Sequence, residues 1–313
     1  MSGHIPVLLN EIVEVINPKD GDVIIDGTFG GGGYTKAILD AADCRVLGID
    51  RDPDAIDRGN SLSQTLDNRL QMFEGCYGDM AALVNQKVNA VVLDIGVSSF
   101  QIDQADRGFS FREDGPLDMR MAQSGESAAD VVNTYDEKEL ANIIYKYGEE
   151  RHSRRVAKAI IEARREEKIT TTGQLAKIVR SVVRQAKDKI DPATRTFQGL
   201  RIYVNDELGE LERGLAAAEE LLLPGGRLVV VTFHSLEDRI VKQFFKQRSG
   251  GNARTNRYMP DGGDQGPQAT FKIINRKPIA PSDEECRENP RARSSKLRAG
   301  LRTDVEKWTG EAK

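Results

Sequence analysis

Three aspartates and a run of glycines are the residues of this chain best suited to chemistry. Asp26-Gly27-Thr28-Phe29-Gly30-Gly31-Gly32-Gly33-Tyr34 follows a short apolar run and leads into a helical pattern. Glycines of this kind let a backbone turn sharply and a ligand come close. The unpaired N–H groups at the start of the next helix suit an anion. That anion is pyrophosphate in a dinucleotide enzyme and an amino-acid carboxylate in an S-adenosylmethionine enzyme; a tight turn alone is the plainer reading. Asp50 closes a second apolar run, RVLGID, where a carboxylate can accept both hydroxyls of a ribose. Asp94 closes a third, VNAVVLD, and could hold a cationic group or accept a proton from an attacking amine. Helix capping is the alternative for Asp50 and Asp94. An acid directly before the glycine turn repels pyrophosphate and suits an ammonium or a sulfonium. Asp26 therefore favours S-adenosylmethionine over a nicotinamide cofactor.

The elements that must position these residues alternate. Val23–Asp26, Arg45–Asp50, Leu70–Glu74 and Val88–Asp94 read as strands. Thr35–Ala42, a segment opening at Asp52-Pro53, and Met80–Asn85 read as helices, with proline at a first helical position. Near-continuous apolar runs between helices predict parallel strands covered on both faces. The expected fold class is α/β, a Rossmann-like doubly wound sheet. From Gln104 to Gln198 only helical periodicity appears, as in Ser153–Glu167 and Thr172–Gln185. The strand pattern resumes at Leu228–Phe233, with a helix over Leu236–Phe245 and a later strand over Ala269–Asn275. Residues 1–103 and 199–313 are thus expected to form one domain, interrupted by an all-helical insertion, 104–198, that recognises substrate. Ser249–Gln268, rich in Gly, Asn, Asp and Pro, is expected to be a mobile loop.

Composition sets outer limits. With 39% hydrophobic and 30% charged residues, the chain has the make-up of an ordinary globular protein. The N-terminal residues do not read as a signal peptide, and no apolar stretch reaches the roughly 18 residues that span a bilayer. Cys44, Cys76 and Cys286 are odd in number and widely separated, which speaks against disulfides or a metal site and for a reducing, cytoplasmic setting. A net charge of −4 hides two basic segments. Arg151–Lys168 mixes cations with glutamates, as a solvated helix face would. Arg287, Arg291, Arg293, Lys296, Arg298 and Arg302 face only Glu288, with Ser294 and Ser295 among them, and form a basic C-terminal tail that could meet phosphates.

Longer blocks carry a specific resemblance. DGTFGGGGY, IDRDPDAI, LDIGVSS, RGFSF, DGPLDMRM, YGEER, ATRTFQ, FHSLEDRIVK and ENPRARSSKLR follow in order from about His4 to Arg302. They closely resemble the 16S ribosomal RNA cytosine-N4 methyltransferases, the RsmH (MraW) family. The resemblance implies a class I methyltransferase that methylates N4 of a cytidine in the decoding region of the small ribosomal subunit. Its implied cofactor, S-adenosylmethionine, would meet Gly32, Gly33, Tyr34, Asp50, Tyr77, Asp94 and Gln101. Arg112, Asp118, Arg120, Arg195 and Asn205 would line the substrate cleft, with His234 and Asp238 at the end of the fifth strand. Many members have histidine at Tyr34 and proline at Phe100, so local contacts there are expected to differ. Asp94, with Ser98 and Ser99 nearby, is the leading candidate to face the amine and take its proton. Phe109, Phe111, Phe197 and Phe233 could stack on an unstacked base or belong to the core. The implied partner is 16S rRNA within the small subunit; a homodimer is left open. Rival readings are a nicotinamide dehydrogenase, a catalytically silent RNA-binding factor and a methyltransferase of another substrate.

Overall fold

Apolar residues on both faces of four short strands oblige the sheet to lie between two layers of helices. A computed structural model describes residues 6–185, 190–250 and 268–307. Helix α1 (Leu9–Ile16) precedes β1 (Val23–Asp26), α2 (Gly33–Ala41), β2 (Arg45–Asp50), α3 (Pro53–Ser63), β3 (Leu70–Glu74), α4 (Met80–Leu83) and β4 (Val88–Asp94). Six helices follow: α5 (Ser99–Asp103), α6 (Ala128–Thr134), α7 (Glu137–Gly148), α8 (Ser153–Glu166), α9 (Thr172–Val182) and α10 (Ala193–Val204). The chain then forms α11 (Glu207–Leu221), β5 (Leu222–Thr232), α12 (Ser235–Arg248), β6 (Phe271–Ile273), α13 (Asp283–Glu288) and β7 (Lys296–Arg302). Among the described residues no helix is long and apolar enough to cross a membrane.

The strand order is β3-β2-β1-β4-β5-β7-β6. The first five strands are parallel, and β7 runs antiparallel to both β5 and β6. Strand side chains alternate between the faces. Ile24, Val46, Val92 and Val229 pack with Ile12 of α1 and Ile38 of α2. Ile25, Leu47, Val91 and Val230 pack with Leu215 of α11 and Val241 of α12. Order reverses between β1 and β4, and such a reversal opens a crevice at the carboxyl ends of the strands. Asp52 caps α3 by accepting from the Asp54 amide, with Pro53 in the first turn, as the sequence suggests.

Two compact units result, Met1–Gly96 with Gly209–Lys313, and Val97–Leu208. The helical unit extends beyond the expected 104–198 at both ends. Its own core includes Leu140, Ile144, Val156, Leu175, Phe197 and Leu200, so α10 belongs to it as far as its last turn. Four capping boxes start its helices: Ser98 with Gln101, Ser127 with Asp130, Asp136 with Glu139, and Thr171 with Gln174. Each satisfies amides that the first turn leaves unpaired.

The basic C-terminal segment corrects an expectation. Its last seven residues are not a tail but β7, paired with β5 and β6. Leu297 and Ala299 are buried, an alternation that intervening arginines disguise in the sequence. Arg302 is buried as well. Its Nε donates to the Glu219 carbonyl at 3.0 Å, and Nη1 reaches the carbonyls of Thr270, Thr303 and Val305 at 3.2, 3.1 and 2.7 Å. The expected strand over Ala269–Asn275 contains β6, whereas residues 251–267 of the expected loop lie outside the described residues. Replacing the buried guanidinium strands several carbonyls. Arg302→Gln should therefore lower the unfolding free energy by roughly 1.5–3 kcal/mol, the scale of hydrogen bonds from a charged donor. A urea midpoint equal to that of the parent protein would refute this role.

Candidate active site

The glycine loop is tied to the ends of two neighbouring strands. Gly27 N–H donates to the Val92 carbonyl at 3.0 Å and Phe29 N–H to that of Ile49 at 3.1 Å. Gly30 N–H donates to Asp50 Oδ2 at 2.8 Å, and Asp94 N–H to Thr28 Oγ1 at 2.7 Å. Gly30 and Gly32 have φ of 53° and 74°, a left-handed backbone that favours glycine. At Gly33 a side chain would collide with Pro6, its Cβ falling 2.3 Å from Pro6 Cγ. Arg58 steadies the turn by donating to the Gly30 carbonyl at 3.2 Å.

Each acid here has a different environment. Asp50 also accepts from Asp52 N–H at 2.9 Å. Burial raises its pKa and these amide hydrogen bonds oppose the rise. Asp26 is fully buried; its carboxylate accepts from Thr35 Oγ1 at 2.7 Å, and desolvation lifts its pKa to about 6. Asp94 is lifted further, to about 7, by desolvation, with Asp26 and Glu237 adding to the rise and Tyr34 opposing it. The Tyr34 hydroxyl lies 3.1 Å from Asp94 Oδ2 and 2.7 Å from the Val7 carbonyl. Asp94 Oδ1 is buried and has no hydrogen-bond partner. A buried acceptor without a donor, beside glycines and acids at strand ends, fits a ligand that brings a positive charge or an N–H.

Tyr77 follows β3, and its ring fills space that Gly214 of α11 leaves open, where a Cβ would lie 2.5 Å from Tyr77 Cδ2. Gly32, Gly33, Tyr34, Asp50, Tyr77 and Asp94 are thus brought to one end of the sheet. Gln101 lies in the helical unit, where its side chain accepts from Ser98 N–H at 3.1 Å in the α5 capping box. In the same unit Asp118 and Arg120 pair at 2.6 Å, while Arg112 and Arg195 are exposed. Asn205 is buried, with Oδ1 accepting from Met121 N–H at 2.8 Å and Nδ2 donating to Met119 and Arg201 carbonyls at 2.7 and 2.9 Å. In the sheet unit His234 caps α12, with Nε2 2.8 Å from buried Glu237. Asp238 binds Arg298 at 2.7 Å and Lys296 at 3.5 Å. Desolvation pushes the Asp238 pKa up, but the two cations prevail and hold it below the usual carboxylate range.

The sequence reading missed two residues that support this end of the sheet. Arg51, next to Asp50, pairs with Glu210 of α11 at 2.8 Å. The Glu210 carboxylate also receives the amides of Gly78 and Tyr77. One buried ion pair therefore fixes the chain after β2 against the chain after β3. Arg51 stands inside IDRD, but its partner is too distant in sequence for any local pattern to show it.

This topology, with a glycine turn after β1 and acids ending β2 and β4, defines a class I S-adenosylmethionine-dependent methyltransferase. A model of the MraW methylase family matches residues 1–302, and the chain belongs to that family. It is 60% identical over 309 residues to ribosomal RNA small subunit methyltransferase H of Paramagnetospirillum magneticum, covering 97% of each chain. Identity to the protein of the same name from Gluconobacter oxydans is 58% over 300 residues, covering 95% of this chain and 93% of that one.

The raised acids give a sign to the pH dependence. Desolvation lifts Asp94 to about 7 in the folded state from the 3.8 of an ordinary aspartate, so the folded state holds the extra proton between those values. Stability of the ligand-free protein should fall as pH rises through that window. Asp94→Asn should flatten this dependence and raise the thermal midpoint at pH 8. Calorimetry should also show S-adenosylmethionine binding more tightly as pH rises toward 7, with a weaker trend for its uncharged thioether product. Equal pH trends for both ligands would exclude charge pairing at Asp94.

Proposed function

We propose that the protein transfers a methyl group from S-adenosylmethionine to N4 of a cytidine in the decoding region of 16S rRNA, within the small ribosomal subunit. Kinship with relatives named ribosomal RNA small subunit methyltransferase H supports the RNA substrate. The unpaired Asp94 Oδ1 is the observation that carries the chemistry. A ribosomal substrate also places the enzyme in the cytoplasm.

When bound, S-adenosylmethionine supplies an electrophilic methyl on a positively charged sulfur. The chain's residues then have separable tasks. The glycine turn and α2 hold the amino-acid end, Asp50 the ribose, and Tyr77 the base end; Gln101 joins them by family resemblance. The lone pair of the cytosine amine is delocalised into the ring, so the nucleophile is poor until the amine pyramidalises. An acceptor aimed at one N–H favours that geometry and then takes the proton. Asp94 Oδ1 is that acceptor: with a pKa of about 7 it is close to the pH at which it works. Asp94 would take the proton that the amine sheds as it accepts the methyl group. Arg112, Asp118, Arg120, Arg195, Asn205, His234 and Asp238 are the proposed substrate residues. Asn205 and Asp238 serve by fixing neighbouring backbone and side chains.

Small subunits from cells lacking this activity provide the test. Incubation with labelled S-adenosylmethionine should place label in N4-methylcytidine after digestion to nucleosides. Asp94→Asn should cut turnover on the order of a hundredfold or more, within the range for a general base. Label in protein or in another nucleoside would reject the assignment.

A further inference from the structure

Arginines of the helical unit fall into two sets. One set is consumed by the protein. Arg107 donates to the carbonyls of Arg120 and Met121, Arg120 pairs with Asp118, Arg164 caps the Val132 carbonyl, Arg180 pairs with Asp191 and Arg201 with Glu207. Arg112, Arg151, Arg154, Arg165, Arg184 and Arg195 are different. All six are exposed, and among the described residues none has a salt bridge or side-chain hydrogen bond; four of them, Arg112, Arg151, Arg154 and Arg195, belong to segments that meet at α10.

Packing brings the chain segments that carry these four against the first turns of α10. The end of α7 lies directly on α10: a Cβ at Gly148 would fall 2.2 Å from the Arg195 carbonyl oxygen. Gln198 Nε2 adds a hydrogen bond to the Tyr147 carbonyl at 3.1 Å. Arg151 follows Gly148 closely, and Arg154 is in the first turn of α8. On the other side Phe111 meets Phe197 edge to face, with ring centroids 4.7 Å apart, which brings in Arg112. From Arg151 to Lys158 the chain has four cations and no acid. Of the nearby acids, Asp191 is engaged by Arg180, and Glu150 is buried and accepts from His152 N–H at 2.7 Å. Glu113, Asp114 and Glu149 are exposed, and Asp114 accepts from Gly173 N–H at 2.7 Å.

Resting on the ribosomal RNA reading above, we propose that Arg112, Arg151, Arg154 and Arg195 form a cradle for the phosphodiester backbone of the substrate RNA. Unspent guanidinium forks match phosphate oxygens in pairs, and such contacts set position without reading bases. The cradle therefore grips RNA beside the target nucleotide and leaves recognition of the cytosine to other residues.

The double variant Arg151→Gln/Arg154→Gln tests this, because exposed residues without partners can be neutralised without unfolding the unit. Binding to protein-free small-subunit rRNA is measured across a salt series. The slope of log K against log salt should become shallower by about 1.4–1.8, and affinity near physiological salt should fall on the order of thirtyfold. Calorimetric affinity for S-adenosylmethionine and the thermal midpoint should not change, and Arg151→Lys/Arg154→Lys should restore most of the slope. An unchanged slope overturns the cradle. So does a defect seen with whole subunits but not with protein-free rRNA, which would indicate a ribosomal-protein contact. If the unaltered protein binds rRNA with the expected slope but methylates no RNA, the proposed function fails and the cradle stands.

Discussion

Two carboxylates withdrawn from water where β1 and β4 end, with no cation among the described residues acting on them, are the constraint that organises the sheet unit. The groups acting on Asp26 and Asp94 are hydroxyls, amides and other carboxylates. Such partners hold an acid in place without neutralising its charge. The resulting cost appears as pKa values pushed upward, and a cationic ligand can recover it. The glycine loop supplies those hydroxyls and amides. Thr28 N–H and Thr35 Oγ1 donate to the Asp26 carboxylate, and the left-handed Gly30 and Gly32 let the chain turn back so that Tyr34 and Thr35 reach the acids.

Elsewhere the molecule treats buried or half-buried acids differently. Asp238 is held by Arg298, Glu207 by Arg201, Glu210 by Arg51 and Asp118 by Arg120. Each pair fixes a junction: β7 against α12, the turn that leaves α10, the chain after β2 against α11, or the turn before α6. Permanent pairing serves architecture, whereas the unpaired oxygen of Asp94 keeps an interaction in reserve. The same distinction separates the arginines of the helical unit. Half are committed to internal carbonyls and carboxylates, and four of the uncommitted ones belong to segments that meet at α10.

Much of this was legible in the sequence, for identifiable reasons. β2 and β4 have the bounds that their apolar runs predict, because strands buried on both faces need continuous Val, Ile and Leu; β3, an edge strand with only Leu70 buried, gave a weaker pattern with the same bounds. Periodicity alone predicted helices over Ser153–Glu167 and Thr172–Gln185, and the structure has them over Ser153–Glu166 and Thr172–Val182. What stayed hidden depends on long-range pairing. Arg298 and Arg302 looked like phosphate ligands because a basic residue in sequence gives no sign that a carboxylate or four carbonyls await it. Asn205 belonged to a block expected to line a cleft, yet its amide is bound to backbone on both sides. Glu210 carried no local signal at all.

Tyr34 shows how one departure from a family pattern can keep a hydrogen bond while changing the electrostatics around Asp94. Burial and the neighbouring Asp94 raise its pKa well above the ordinary phenol range, so it stays neutral. Its single hydrogen has two acceptors within reach, Asp94 Oδ2 and the Val7 carbonyl. With Asp94 ionised, the hydroxyl can turn its hydrogen to the carboxylate. With Asp94 protonated, the carboxyl can donate to the phenol oxygen while the phenol donates to Val7. Either state of the acid therefore remains hydrogen-bonded without any change in the fold. An imidazole, the common family choice at this position, could become charged and pull the Asp94 pKa down. Tyrosine cannot lend that charge, so in this chain the carboxylate depends on its ligand for a positive partner.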